Sequence, residues 1–182
     1  EVLNFSKKNI ISIKVDVDSE NGSKISTDYN IQSLPTLVFI NSYNEEVDRI
    51  IGFLSPDKYL TRINQVLKGE NTIDDLLIKY KLNNDVKTLS LLANKYFEKA
   101  DYEDAKTRYM ELIAIFKNAD KEMIDDATFK LAMIDYYNED ISGLEVIIIQ
   151  NQNSDFTKQS LSMLKRFYRT KSDIKGELKI HE

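Results

Sequence analysis

Ile11, Ile13, Val15 and Val17 alternate with Ser12, Lys14 and Asp16, a period of two that predicts a strand with one face more deeply buried than the other. Asn21-Gly22 then predicts a break, and Ile25 and Tyr29 at helical spacing predict a short helix. In the run Ile31-Gln32-Ser33-Leu34-Pro35-Thr36-Leu37-Val38-Phe39-Ile40, a proline stands directly before an apolar stretch. It reads as a rigid turn feeding a buried strand, because proline presets φ and withholds a ladder donor at the strand's first position. X-Pro is also the one common site of a cis peptide bond, and this context predicts cis at Leu34-Pro35. A polar turn at residues 42–45 and the run Glu46 to Gly52 predict an antiparallel hairpin. Ser55-Pro56-Asp57 supplies an N-cap, a proline at the first helical position and an acid in the first turn, while Gly69 stands at the C-cap, so a helix is predicted over 56–68.

From about residue 71 the pattern becomes wholly helical. Asn71-Thr72 with Asp74 and Asp75 caps a connector helix whose apolar positions are Ile73, Leu76, Leu77 and Tyr80. Beyond Asn83-Asn84 come Leu89, Leu92, Ala93 and Tyr96, a polar turn over 99–101, and then Tyr102, Ala105, Tyr109 and Leu112. Similar positions recur at Leu131, Ala132, Leu144 and Ile148, displaced by 39 residues from Ala93 to Ala132, with the extra residues placed in a loop around Asn118 to Glu122. Phe156, Leu161, Leu164 and Phe167 suit a final helix, and residues 170–182 read as a polar, frayed tail.

Across residues 9 to 69 the order is strand (with Lys14-Val15-Asp16-Val17-Asp18), helix, Leu-Pro-Thr strand, strand ending in glycine, and capped helix. This order resembles the thioredoxin superfamily. The resemblance implies that Leu34, Pro35 and Thr36 border a substrate groove, with the main chain of Leu34 pairing with an extended segment. It also implies a further strand, lying between those near Ile11 and Leu37, and a helix whose first turn carries Cys-x-x-C. Glu1 to Phe5 resembles the tail of that helix, so a βα piece on the order of thirty residues is expected to be missing, about half of a split βαβ unit. The chain is then a cleaved or truncated form of a longer protein, or its sheet is completed by another copy or segment, and self-association through the incomplete sheet is expected.

The helical part resembles tetratricopeptide repeats, in which small alanines let two antiparallel helices approach closely. The proline that often closes such a repeat is replaced here by Lys117, and the displacement of 39 residues exceeds the usual 34 or so. In that architecture the first helix of each pair lines a concave surface. The resemblance therefore implies partner binding by Lys87, Ser90, Asn94 and Phe97 from the first repeat, and by Phe129, Met133, Tyr136 and Tyr137 from the second. The expected fold class is α/β plus all-α, a partial thioredoxin-like fold joined to a TPR-like antiparallel helical array. The expected organisation is a thioredoxin-like domain over 1–70, a connector over 71–84 and a helical domain over 85–182.

Composition restricts the chemistry. The 182 residues contain no cysteine, so they hold no thiolate and cannot perform disulfide exchange. The one histidine, His181, stands at the penultimate position, which leaves no base for a Ser-His-Asp arrangement and too few ligands for zinc. Asp16, Asp18, Glu20 and Gly22 have the look of a calcium loop, but the glycine is one place late and the last-ligand glutamate is missing, so they read as a solvated strand end. Asn4-Phe5-Ser6 and Asn21-Gly22-Ser23 match the glycosylation tripeptide, a pattern that arises often by chance. No catalytic residue, metal or cofactor is therefore assigned. With a net charge of −5 and bases dispersed among acids there is no footprint for nucleic acid, and no run reaches the length of a membrane span. The expected partner is a protein or peptide, and the compartment is left open between bacterial cytoplasm and periplasm. Three readings follow: the remainder of a thiol-disulfide oxidoreductase with Cys-x-x-C upstream, which is favoured; a cysteine-free scaffold that binds peptides; and a structural subunit of an assembly.

Overall fold

The computed structural model describes residues 2–115, 120–150 and 154–171. The fold is mostly helical with one small two-stranded antiparallel sheet, and it divides into two compact units, Glu1–Ala105 and Lys106–Glu182.

The first unit opens with α1 (Val2–Asn9). Residues 10–16 follow without secondary structure, so the strand expected over Ile11–Val17 is not formed. Its alternation is real, but no neighbouring strand takes up its main-chain groups, and Ile11 and Ile13 stand 94% and 82% exposed. The Asn21-Gly22 break expected from sequence also gives way: both residues lie in the first turn of α2 (Glu20–Asp28). Ser19 caps that helix by accepting from the Gly22 N–H at 3.1 Å. Glycine is required at 22 because a Cβ there would sit 1.8 Å from the Asp16 carbonyl oxygen.

The Leu34-Pro35 peptide is cis, in agreement with the sequence reading. Strand β1 (Thr36–Ile40) leaves it and pairs with β2 (Glu46–Ile51) through a tight turn. In that turn the Asn41 side chain accepts from the N–H groups of Tyr43 and Glu45 at 2.9 and 3.0 Å. The register runs from Thr36 opposite Ile51 to Phe39 opposite Asp48 and then shifts, so that Ile40 faces Glu46 and Val47 is the bulged residue. Helix α3 (Pro56–Leu67) begins at the proline and ends at Lys68. Gly69, at φ +69°, turns the chain so that the Glu70 N–H reaches the Gln65 carbonyl at 2.8 Å, a closure that favours glycine. The unit continues through α4 (Ile73–Asn83), capped by Thr72, and α5 (Val86–Glu98), capped by Asp85. These two helices pack on each other, and Leu76, Leu89, Leu92 and Ala93 are buried.

Helix α6 (Tyr102–Ile115) crosses the division between the units, with Ala105, Tyr109 and Leu112 buried on one stripe. The second unit contains α7 (Lys121–Tyr137), α8 (Ser142–Gln150) and α9 (Asp155–Thr170). Its core is formed by Phe129, Ala132, Leu144, Ile147 and Leu164. Gly143 lets α8 approach α7 closely, since a Cβ there would lie 2.9 Å from the Ala132 Cβ. Residues 116–119, with Asn118 of the expected inter-repeat loop, and residues 172–182, with His181, lie outside the described residues, while Lys121 and Glu122 of that expected loop open α7.

Candidate functional site

The Leu34-Pro35-Thr36 turn leads into strand β1, one edge of which is unpaired among the described residues. Leu34 is 64% exposed, and its N–H and C=O have no hydrogen-bond partner among the described residues. The Thr36 hydroxyl donates to the Ser33 carbonyl at 2.7 Å and fixes the turn. The Gly52 N–H donates to the Pro35 carbonyl at 2.8 Å, and the Asn41 N–H to the Glu45 carbonyl at 2.9 Å. Because main-chain groups of successive residues point to opposite sides of a strand, these two bonds orient the whole of β1. Pro35, Leu37, Phe39 and Asn41 face β2. Thr36, Val38 and Ile40 present their N–H and C=O to the opposite edge, where they have no partner.

The two edges of this sheet differ in chemistry. From Thr36 to Ile40, β1 carries no charged residue. On β2 the outward N–H of Arg49 is already taken by the Asp48 carboxylate at 2.8 Å. Arg49 itself is buried and forms a two-pronged contact with Glu46, Nε to Oε1 and NH2 to Oε2 both at 2.7 Å. Its guanidinium also donates to the carbonyls of Tyr29 at 2.8 Å and Glu98 at 3.1 Å. Asp48, equally buried, takes Lys95 Nζ on one oxygen at 2.7 Å and Arg62 on the other. Burial pulls the Lys95 ammonium below its ordinary value and Glu98 acts against that shift; burial lowers Arg62 in the same way, again opposed by Glu98. Three acids thus meet three bases and join β2, α3, α5 and the end of α2. The cluster is internally neutralised, which suits it to holding the unit together rather than to proton transfer.

The residues expected to line a concave partner surface differ in their exposure. Lys87 is exposed on α5, Ser90 and Asn94 are half-buried, and Phe97 stacks on Tyr102 with ring centroids 5.7 Å apart. In the second unit the expectation fails at Phe129, which is 3% exposed and packs on Phe156 of α9 at 5.2 Å between centroids. Met133 and Tyr136 are half-buried against the same core. The physical reason is that α9 folds back over the face of α7 that would otherwise be open, and Tyr136 meets Phe167 at 6.1 Å. Tyr137, 48% exposed, is the member of this group that reaches the surface, and burial of the rest of its ring raises its phenol above the ordinary value, with Tyr136 adding and Arg166 opposing.

Among the described residues no group of three or more His, Cys, Asp or Glu side chains could hold a metal ion. A shallow depression of about 360 Å³ along α3 is lined by Leu54, Asp57, Lys58, Thr61, Arg62 and Gln65, which include no nucleophile paired with a base. No helix among the described residues is long and apolar enough to cross a membrane. Along the outer edge of β1 the main-chain groups of Thr36, Val38 and Ile40 have no partner among the described residues. Sequence reasoning found the turn and the strand but missed Asp48, Arg49, Arg62 and Lys95, whose shared position no local spacing signals. Comparison with family models, curated proteins and solved structures finds no match.

Proposed function

We propose that the chain is a thioredoxin-like module followed by TPR-like repeats, the remainder of a thiol-disulfide oxidoreductase whose Cys-x-x-C lies upstream of Glu1. Leu34, Pro35 and Thr36 border the substrate groove, and the repeats recruit a protein partner through the exposed Lys87 and Tyr137 and the half-buried Asn94 and Phe97. The observation that carries this reading is the open main chain of Leu34 at the head of a strand whose outer edge is unpaired and uncharged. An extended peptide adds to such an edge through main-chain bonds, with side-chain pockets supplying selectivity. Residues 1–182 contain no cysteine, so their share of the activity is binding.

The test reads the coding sequence before Glu1 and assays two products for reduction of a protein disulfide. The reading expects Cys-x-x-C in the preceding segment, turnover by the longer product and none by the 182-residue chain. Turnover by the cysteine-free chain, or an upstream segment without the cysteine pair, overturns it. The second outcome favours a redox-inert scaffold that binds peptides at the same edge, a reading supported by the absence of cysteine from the chain.

A further inference from the structure

We propose that two copies of the 182-residue chain associate by reciprocal strand addition, with residues 10–15 of each copy pairing along the free edge of β1 in the other. The acceptor is defined by parity. Thr36, Val38 and Ile40 hold outward N–H and C=O groups without partners, and no charge, proline or bulge on β1 blocks that edge. On the opposite edge the Arg49 N–H is already bound by its neighbour Asp48 inside the ion cluster.

The donor is defined by what the same unit leaves unused. Residues 11–15 make no main-chain hydrogen bond among the described residues, although Ile11, Ile13 and Val15 alternate as a strand does and are exposed. The segment is tied down at both ends, by the Ile10 N–H on the Ser6 carbonyl at 3.0 Å and by the Ser19 hydroxyl on the Asp16 carbonyl at 2.6 Å. It therefore offers a short run of unsatisfied backbone between two fixed points. Each copy carries one donor and one acceptor, so a two-fold arrangement satisfies both. This names the occupant as a second copy. The inference is independent of the proposed activity, since it is read by mass and amide protection rather than turnover.

Two variants separate donor from acceptor. Val38→Pro removes an outward N–H while leaving the bonds to β2 in place, because proline is tolerated where a strand edge faces solvent. Ile11→Lys with Ile13→Lys charges the donor. By sedimentation equilibrium the wild-type chain is expected to form a dimer, and each variant alone to weaken it by about tenfold or more in Kd. Mixing the two gives a heterodimer with one intact donor–acceptor pair and one pair altered on both sides, so its affinity should lie between those of the two variant homodimers. Hydrogen exchange on the wild type gives a readout that needs no substitution: the Thr36, Val38 and Ile40 amides gain protection as concentration rises, together with those of Ile11 and Ile13. A wild-type chain that stays monomeric, or a dimer that both variants leave intact with those amides unprotected, overturns the proposal.

Discussion

Lys95 Nζ lies 2.7 Å from Asp48 Oδ1, which ties α5 to β2 across 47 positions of sequence. Asp48 is buried and also holds Arg62, so removing its carboxylate leaves two half-buried cations facing each other. Asp48→Ala is expected to cost about 3–5 kcal/mol, the scale for breaking a buried ionic group by deleting one partner. Lys95→Met should cost clearly less, because Arg62 still neutralises the carboxylate. Urea unfolding of the two variants checks the order, and equal losses would show that Arg62 does not share the charge.

In the second unit α8 approaches α7 at Gly143, which lies against Ala132. A Cβ at 143 would lie 2.9 Å from the Ala132 Cβ and 3.2 Å from its Cα, with backbone on one side that cannot swing away. Gly143→Ala therefore has to spread α7 and α8, at a cost of about 1–3 kcal/mol that outweighs its gain in helix propensity of roughly 1 kcal/mol. Combining it with Ala132→Gly relieves the clash. The double-mutant cycle should show a favourable coupling, and strict additivity would mean that the two helices do not meet here.

How much of this was legible in the sequence follows from how local each signal is. Leu89, Leu92, Ala93, Tyr96, Tyr102, Ala105, Tyr109 and Leu112 were singled out by their helical spacing, and all are buried except the half-buried Tyr96 and Tyr102, because a 3.6-residue period is a property of one segment. The Pro35 turn, the hairpin and the Gly69 cap were legible for the same reason. The alternation at Ile11 to Val17 was equally clear and yet forms no strand, since a strand needs a partner that its own sequence does not specify. No local pattern links Asp48, Arg62 and Lys95, and only the tertiary fold brings them together. Phe129 was misread because α7 carries apolar residues on several sides, and nothing within it shows which side α9 will cover.

Phe129 and Tyr137 now fall into different classes, one in the core and one at the surface. Phe129→Ala should destabilise the chain by about 3–5 kcal/mol, as deletion of a buried aromatic ring does. Tyr137→Ala should stay within about 1 kcal/mol, because half of its ring already meets solvent. Guanidinium unfolding monitored by far-ultraviolet circular dichroism measures both. A small effect at Phe129 would return it to the set of accessible groove residues.

Asp85 caps α5 with both carboxylate oxygens, Oδ1 accepting from the Thr88 N–H at 2.9 Å and Oδ2 from the Thr88 hydroxyl at 2.6 Å. The Thr88 hydroxyl is the larger cause, and with the amide it holds the Asp85 carboxyl below the usual carboxylate range. A group whose folded value is depressed contributes stability that is fully present above its unfolded value, about 3.9, and is lost as pH falls through the folded value. Asp85→Asn keeps an acceptor for the cap but cannot titrate, so its stability relative to wild type should be constant at neutral pH and should improve as pH drops below about 4. Asp85→Ala loses the cap outright and should cost about 1 kcal/mol at pH 7. Unfolding midpoints of the three proteins measured from neutral to acid pH distinguish the ionised cap from a merely polar one: parallel curves for wild type and Asp85→Asn would mean that the charge on Asp85 does not stabilise the helix.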